Sequence, residues 1–522
     1  MKYDVVIIGA GHNGLTAAAY LARAGRRVLV LERRHVVGGA AVTEEVFPGF
    51  RFSVCSYVVS LLRPEIIREL ELARHGLEIL PLDGTFTPMP DGNHLWRVND
   101  HAQTMRAIAR HSRTDAEAYD EYGRAMVDMG RFVRPILGLT PADPTSLRPG
   151  GLRQLKFLLD RFRQLSRQDQ YNQVQLMTMS AADFLDQWFE TDVLKATMAA
   201  SGIIGTFLGI RSPGTAYVLL HHYMGEIDGA FRSWGLAKGG TGGISNAIAA
   251  AARERGVEIR TEAAVSKILV RGNTTHGVVL ANGDEIEAGI VASSVDPRLT
   301  FLRLLEPDLL PDDFVEDVRR YKFRGSSGKV NLALDALPDF TCLPGPGRHL
   351  RGAISISPGT EYMERAYDEA KYGRYSRRPY IDIVIPSLTD PSVAPAGKHV
   401  MSCFVQYAPY HLADGTWDEQ RDAFGDTVVN TVAEYAPNFK NTILHRQVVT
   451  PLDLEREWSL SEGNIFQGEL TLEQLFFLRP VPGWAQYRTP IKNLFMCGSA
   501  THPGGGIMGA PGRNAALVML GR

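Results

Sequence analysis

Two glycine clusters near opposite ends of the chain have the spacing needed to hold a phosphate-bearing dinucleotide. The first, Gly9-Ala10-Gly11-His12-Asn13-Gly14, is entered from the apolar run Val5–Ile8 and followed by the small-residue stretch Leu15–Ala24. A strand, a tight turn and a helix in that order form a nucleotide-binding fingerprint. Gly9 permits the turn, Gly11 lets backbone approach a pyrophosphate, and Gly14 lets the helix pack on the sheet. The helix start then offers free N–H groups and a positive dipole end to the phosphates. A second strand, Val28–Leu31, ends in Glu32, 18 residues after Gly14, where a carboxylate can take the ribose hydroxyls. Arg33 beside it and the paired Gly38-Gly39 are further cofactor-binding candidates.

The second cluster runs from Gly498 through Thr501-His502-Pro503-Gly504-Gly505-Gly506 and leads into the helix-like Gly512–Ala516. Gly498, Gly505, Gly506 and Arg513 are its cofactor-binding candidates, and the helix starting near Gly509–Gly512 should aim its N-terminus at the same ligand. A fingerprint at the start and a second glycine turn at the end point to FAD rather than NAD. Gly239–Gly243 has no apolar strand before it, so no second full fingerprint exists. The four cysteines, Cys55, Cys342, Cys403 and Cys497, are too scattered for a redox pair, which disfavours a disulfide reductase with its own NADPH domain.

Three titratable side chains are candidates for catalysis. His502 sits in the terminal motif, either as an acid or base beside the flavin or as a turn residue satisfying backbone groups. His222 and Tyr223, in the run His221-His222-Tyr223 ahead of Glu226 and Asp228, either line a cavity facing the flavin or form a packed polar end of a helix. Adjacent histidines point in different directions on a helix, so a metal is not expected there. Trp234 reads as packing.

The elements that must position these residues are split along the chain. The pattern predicts an α/β fold: a Rossmann-like FAD-binding domain of the glutathione-reductase type, with two inserted segments forming a mixed α+β substrate domain. Residues 1–80, 236–300 and 481–522 build the FAD domain, with Val265 reaching the adenine side. Residues 81–235 form a helical insertion and 301–480 a β-rich one, with strands expected at Val330–Leu334, Ile381–Ile385 and His399–Val405. Asn282-Gly283-Asp284 marks a hairpin turn.

At 522 residues and a net charge of −2, the chain can bury a large core and carries no global field to recruit nucleic acid. The first strand begins at residue 3 and no long uncharged apolar run occurs, so the expectation is a cytoplasmic protein without a signal peptide. Residues 152–167 form a basic amphipathic helix: Leu152, Leu155, Leu159, Phe162 and Leu165 follow helical spacing beside Arg153, Lys156, Arg161, Arg163 and Arg167. Such a helix either lies on an anionic membrane surface or packs on the substrate domain or a second copy.

The set Gly9-x-Gly11-x-x-Gly14, Glu32, Val37-Gly38-Gly39-Ala40-Ala41 and Gly498-x-x-Thr501-His502-Pro503-Gly504-Gly505-Gly506 resembles the phytoene desaturase-like FAD oxidoreductases. That family includes carotenoid desaturases and isomerases, a carotene ketolase and retinol saturase. Val291-Ala292-Ser293-Ser294-Val295-Asp296-Pro297 is similar to its strand-end motif, so the likeness spans the chain. The stretches Gly38–Glu45 and Ser212–Tyr217 are similar to a subgroup classed as pyridine nucleotide-disulfide oxidoreductase domain-containing. Ala40 departs from the family's arginine after the paired glycines. The resemblance implies an FAD-dependent oxidoreductase acting on an apolar, polyene-like molecule by desaturation, saturation or isomerisation. Amine oxidation and a non-catalytic FAD protein with an interaction role stay open beside it.

Overall fold

The run at 3–8 lacks polar alternation, as a strand covered on both faces should. In the computed structural model, which describes residues 2–146, 149–227, 230–231 and 233–521, this run is the middle of a parallel sheet. Tyr3–Ile8 lies between Val28–Leu31 and Glu285–Ser293; Glu258–Arg260 extends one side and Leu494–Met496 the other, all parallel. Segments far apart in sequence thus share one sheet.

The strand Glu285–Ser293 serves two sheets. Its first residues pair antiparallel with Thr274–Leu280, which pairs in turn with Val265–Arg271; its last residues run in the parallel sheet. The Asn282-Gly283 turn closes that hairpin.

The first helix, His12–Arg23, is lined with alanine, and Ala17, Ala18 and Ala19 are fully buried. Small side chains let two further helices approach it. A Cβ on Gly512, in the last helix Ala510–Met519, would meet the Asn13 carbonyl oxygen at 2.0 Å. The two ends of the chain are in backbone contact.

A second sheet of seven strands carries the other domain, in the order Ile443–Val449, Ser327–Leu334, His399–Gln406, Tyr380–Val384, Ala353–Ile356, Gly84–Pro88 and His94–Val98. Its last two strands correct the helical reading of 81–235, because they come from that segment and extend the sheet of the later one. The hairpin signal Pro90-Asp91-Gly92 joins them, and five-residue strands leave little periodicity to read next to a long helical run. From His101–Ala109 to Thr215–Tyr223 the early segment is helical, and the short antiparallel pair Glu226–Ile227 and Ala230–Phe231 follows. Among the described residues no helix is long and apolar enough to cross a membrane.

Candidate active site

The cradle at the start of the chain is built from backbone. Gly9 adopts φ +92°, and a Cβ on Gly14 would lie 2.3 Å from the Gly9 carbonyl oxygen and 3.0 Å from Ser294 Cβ. The helix therefore begins in direct contact with the strand end, capped by Gly11. Gly38 packs on this turn: its N–H donates to the Ala10 carbonyl at 2.9 Å, and its φ of +126° places a Cβ 2.4 Å from Ala41 O. Gly39 follows with its Cβ position 3.4 Å from Gly11 Cα.

Glu32 is 7% exposed and lines a cavity of about 1090 Å³ that runs from this cradle between the two sheets. Its carboxylate accepts from the Ala10 and Arg34 N–H groups, both at 2.9 Å. An ionised carboxylate has about four acceptor sites, so half of its capacity remains for ribose hydroxyls. Two more groups in the cradle lack partners: His12 Nε2 and Asn13 Oδ1 are buried and make no hydrogen bond among the described residues. Burial holds the His12 imidazole neutral, with its pKa pushed down to about 4. A helix N-terminus, a poised carboxylate and orphaned polar atoms along a glycine-walled cavity fit a dinucleotide. Val265 and Ala264 line the same cavity, as does Arg33, whose guanidinium donates to the Arg456 and Glu457 carbonyls.

The terminal motif enters this cavity only in part. Ser499, Gly506 and Ile507 line it, whereas Gly498 and Gly505 stand behind the wall, with Cβ positions 2.4 Å from Ser294 O and 2.5 Å from the Phe466 ring. The fully buried Arg479 fixes this turn. Its guanidinium donates to the carbonyls of Phe466, Gly468, Glu469, Gln474 and Ser499 at 2.9–3.3 Å.

Two expected site residues point elsewhere. His502 is 1% exposed, does not line the cavity, and donates from Nε2 to the Ile136 carbonyl at 3.0 Å; burial lowers its pKa to about 4. It is a neutral structural histidine, not an acid or base beside a reacting atom. Arg513 turns to Glu69 at 3.4 Å and lies over the Tyr20 ring, away from the cavity.

His222 and Tyr223 both line the cavity, at the end of the helix Thr215–Tyr223, while His221 faces the core. His222 donates from Nδ1 to the Val218 carbonyl at 3.0 Å, and its ring stacks near Trp234 and Phe466. Burial holds its pKa near 4 and keeps it neutral; among the described residues its Nε2 makes no hydrogen bond, although the Ser201 backbone lies close enough to raise the pKa slightly. Asp228 lies outside the described residues.

The second sheet supplies a row of groups that sequence reasoning passed over. Ser355, Asp382, Phe404 and Lys329 are in register across four adjacent strands, and all four line the cavity. Asp382 and Lys329 are thus two strands apart, roughly 10 Å at the usual interstrand spacing, with the Phe404 ring between them. Tyr57 lies over this row, stacked on Phe404 with centroids 5.6 Å apart and an interplanar angle of 21°. Its hydroxyl donates to Asp382 Oδ2 at 2.5 Å, and the Lys329 ammonium lies 5.5 Å from its ring centroid. Burial raises the Asp382 pKa to about 6 against the opposing pull of that hydroxyl, and lowers the Lys329 pKa to about 7. Lys329 also donates to the Ser53 carbonyl. The signal for these residues was a charge inside an otherwise strand-like apolar run.

The parallel sheet, the cradle and the long interdomain cavity define a two-domain FAD-binding oxidoreductase. A profile described as flavin containing amine oxidoreductase matches residues 14–517, and the chain belongs to that family. It is 43% identical to pyridine nucleotide-disulfide oxidoreductase domain-containing protein 2 of Rattus norvegicus, covering 99% of this chain and 93% of that one. It is 28% identical to a limonene dehydrogenase component of Castellaniella defragrans, over 99% and 94% of the two chains. It is 25% identical to the neurosporene-forming phytoene desaturase of Cereibacter sphaeroides, over 99% and 94%. A putrescine oxidase variant structure shares the fold, with a TM-score of 0.61 at 17% identity and coverage of 100% and 99%. The cofactor of this chain is FAD.

Proposed function

We propose that this chain uses FAD to oxidise, saturate or isomerise carbon–carbon bonds in an apolar, isoprenoid-like substrate. The observation carrying this reading is the cavity wall beyond the cradle. Leu61, Ile204, Leu219, Ile227, Trp234 and Phe466 form an apolar stretch of that wall, apart from the polar row on the second sheet. The names of the limonene dehydrogenase and phytoene desaturase relatives support the same substrate class. Tyr57 and Phe404, two of the aromatic side chains that line the cavity, stack on each other and leave no slot between their own rings for a substrate amine.

Bound FAD supplies hydride acceptance or donation. The chain's own residues bind and orient. The glycine turns and Glu32 would hold the dinucleotide, Arg479 keeps the terminal turn in place, and the apolar stretch of the wall would keep water from the reacting carbons. His222 stays neutral, so it hydrogen-bonds without adding charge. The test is anaerobic mixing of the FAD-loaded protein with phytoene in liposomes, following flavin absorbance near roughly 450 nm. Bleaching by this hydrocarbon supports the reading. Bleaching by dodecylamine alone, with dithionite still reducing the flavin, overturns it in favour of amine oxidation.

We also propose that the helices Pro149–Gln164 and Arg167–Thr178 rest on an anionic bilayer, where such a substrate would reside. Leu152, Phe157, Leu159, Tyr171 and Val174 are each 42–56% exposed on this pair. Beside them stand five cations, Arg153, Lys156, Arg161, Arg163 and Arg167, against Asp160 and Asp169. Apolar side chains exposed among cations suit a headgroup interface better than water. The protein should float with phosphatidylserine-containing vesicles and not with pure phosphatidylcholine, and K156E/R163E should abolish flotation. Equal recovery of wild type and variant would overturn this placement of the helices on the bilayer.

A further inference from the structure

The row on the second sheet carries a polar end that a purely hydrocarbon substrate does not explain. Asp382 is enclosed by protein, yet its carboxylate is accessible to the cavity it lines. Among the described residues its one hydrogen bond is from the Tyr57 hydroxyl, and Lys329, the cation on the same row, is too far along the sheet to pair with it. With about four acceptor sites on the carboxylate, most of its capacity faces the cavity.

The surroundings extend the polar end. Tyr380 lies two residues from Asp382 on the same strand face, and Ser355 is directly across from it. Ser355 bonds Ser357 at 2.8 Å, Ser357 bonds Thr197 at 3.3 Å, and Thr197 bonds Thr87 at 3.0 Å. Tyr380, Ser355 and Thr197 line the cavity with Asp382. A hydrocarbon filling this space would displace water from the carboxylate and return no hydrogen bond, which is costly for a charged group.

We infer that Asp382, with Tyr57, Tyr380 and Ser355, forms a subsite for a hydrogen-bond-donating head group, a hydroxyl or an amine, at one end of an otherwise apolar substrate. The inference rests on the reading that this cavity takes the substrate, and it narrows that substrate to an amphipathic molecule. The Asp382 end orients the molecule, and the apolar chain runs past Phe404 and Trp234 toward the cradle.

Three probes sharing one carbon skeleton test this with FAD-loaded protein: geraniol, geranylamine and myrcene, titrated while the flavin spectrum reports binding. Binding requires no flavin reduction, so the result stands apart from the bleaching experiment. Asp382→Leu should lower the affinity ratio of geraniol to myrcene about tenfold or more, the worth of a hydrogen bond to a charged group. Its myrcene affinity should hold or rise, which also shows that the variant is folded. Tyr57→Phe should move the ratio the other way, because it leaves the carboxylate without its internal donor. Geraniol and geranylamine distinguish hydroxyl from amine as the preferred donor, and preference for either over myrcene in the wild type but not in Asp382→Leu supports the subsite. An unchanged ratio in both variants, or no spectral response to any probe, overturns it.

Discussion

Gly14→Ala is expected to yield a protein that purifies without flavin colour and unfolds at a markedly lower temperature. The added Cβ would sit 2.3 Å from the Gly9 carbonyl oxygen and 3.0 Å from Ser294 Cβ. The first obstacle is backbone at the end of the sheet's central strand, so it cannot swing aside as a side chain could. The helix His12–Arg23 must move off the strand, carrying away the N–H groups of the cradle. Overpacking of this kind costs about 3 kcal/mol, and loss of a ligand that binds only the folded state adds to it. The control is the same substitution at Gly123, inside the helix Arg113–Val133, where nothing lies within 4 Å of the added Cβ. There alanine should stabilise by about 0.5–1 kcal/mol through helix propensity alone. The measurements are flavin absorbance per polypeptide and thermal melts. Retention of full flavin by Gly14→Ala would mean that the helix start is not tied to the strand end.

What could be read from the chain and what could not follows a physical line. The fingerprint was legible because each residue in it answers a local demand: Gly14 for contact with Gly9, Glu32 for an acid at a strand end, Asn282-Gly283 for a hairpin. Strands Ser327–Leu334, Tyr380–Val384 and His399–Gln406 were legible from their apolar β-branched runs. His502 and Arg513 misled because residue type and proximity to a motif do not set side-chain direction. A cavity on one side and the Ile136 carbonyl on the other are equal choices for a turn histidine until tertiary structure is known. Lys329 and Asp382 were missed for the opposite reason. In a half-exposed strand a charge every second residue points to water, but every residue of Ser327–Leu334 is buried, so the lysine faces the cavity. Whether a sheet is covered on both faces is a long-range fact, and no local pattern in Ser-Gly-Lys-Val-Asn-Leu-Ala-Leu states it.

That same burial makes the second large effect. Lys329→Met is expected to raise stability most at low pH, with the gain fading as the pH rises. In the unfolded chain the amine titrates near 10.5, and in the folded protein burial lowers its pKa to about 7. Between those values the unfolded state carries a proton that the native state has released, so the native state gains stability as pH rises through the window. Below pH 7 both states are charged, and the cost of an ammonium enclosed by Tyr57, Phe404, Cys55 and Cys403 is fully present. Among the described residues no carboxylate pairs with it, since Asp382 lies beyond the Phe404 ring, and the two thiols are held neutral with pKa values pushed up to about 12. At 1.36 kcal/mol per pKa unit the cost reaches about 5 kcal/mol as a ceiling. Donation to the Ser53 carbonyl is lost in the variant and reduces the gain. Subtracting wild-type from variant stability at each pH removes every other titration, so urea denaturation of the two proteins from pH 6 to pH 10 isolates this one group. A difference that stays flat across that range would place the lysine's titration outside the window and require water or a counter-charge beside it.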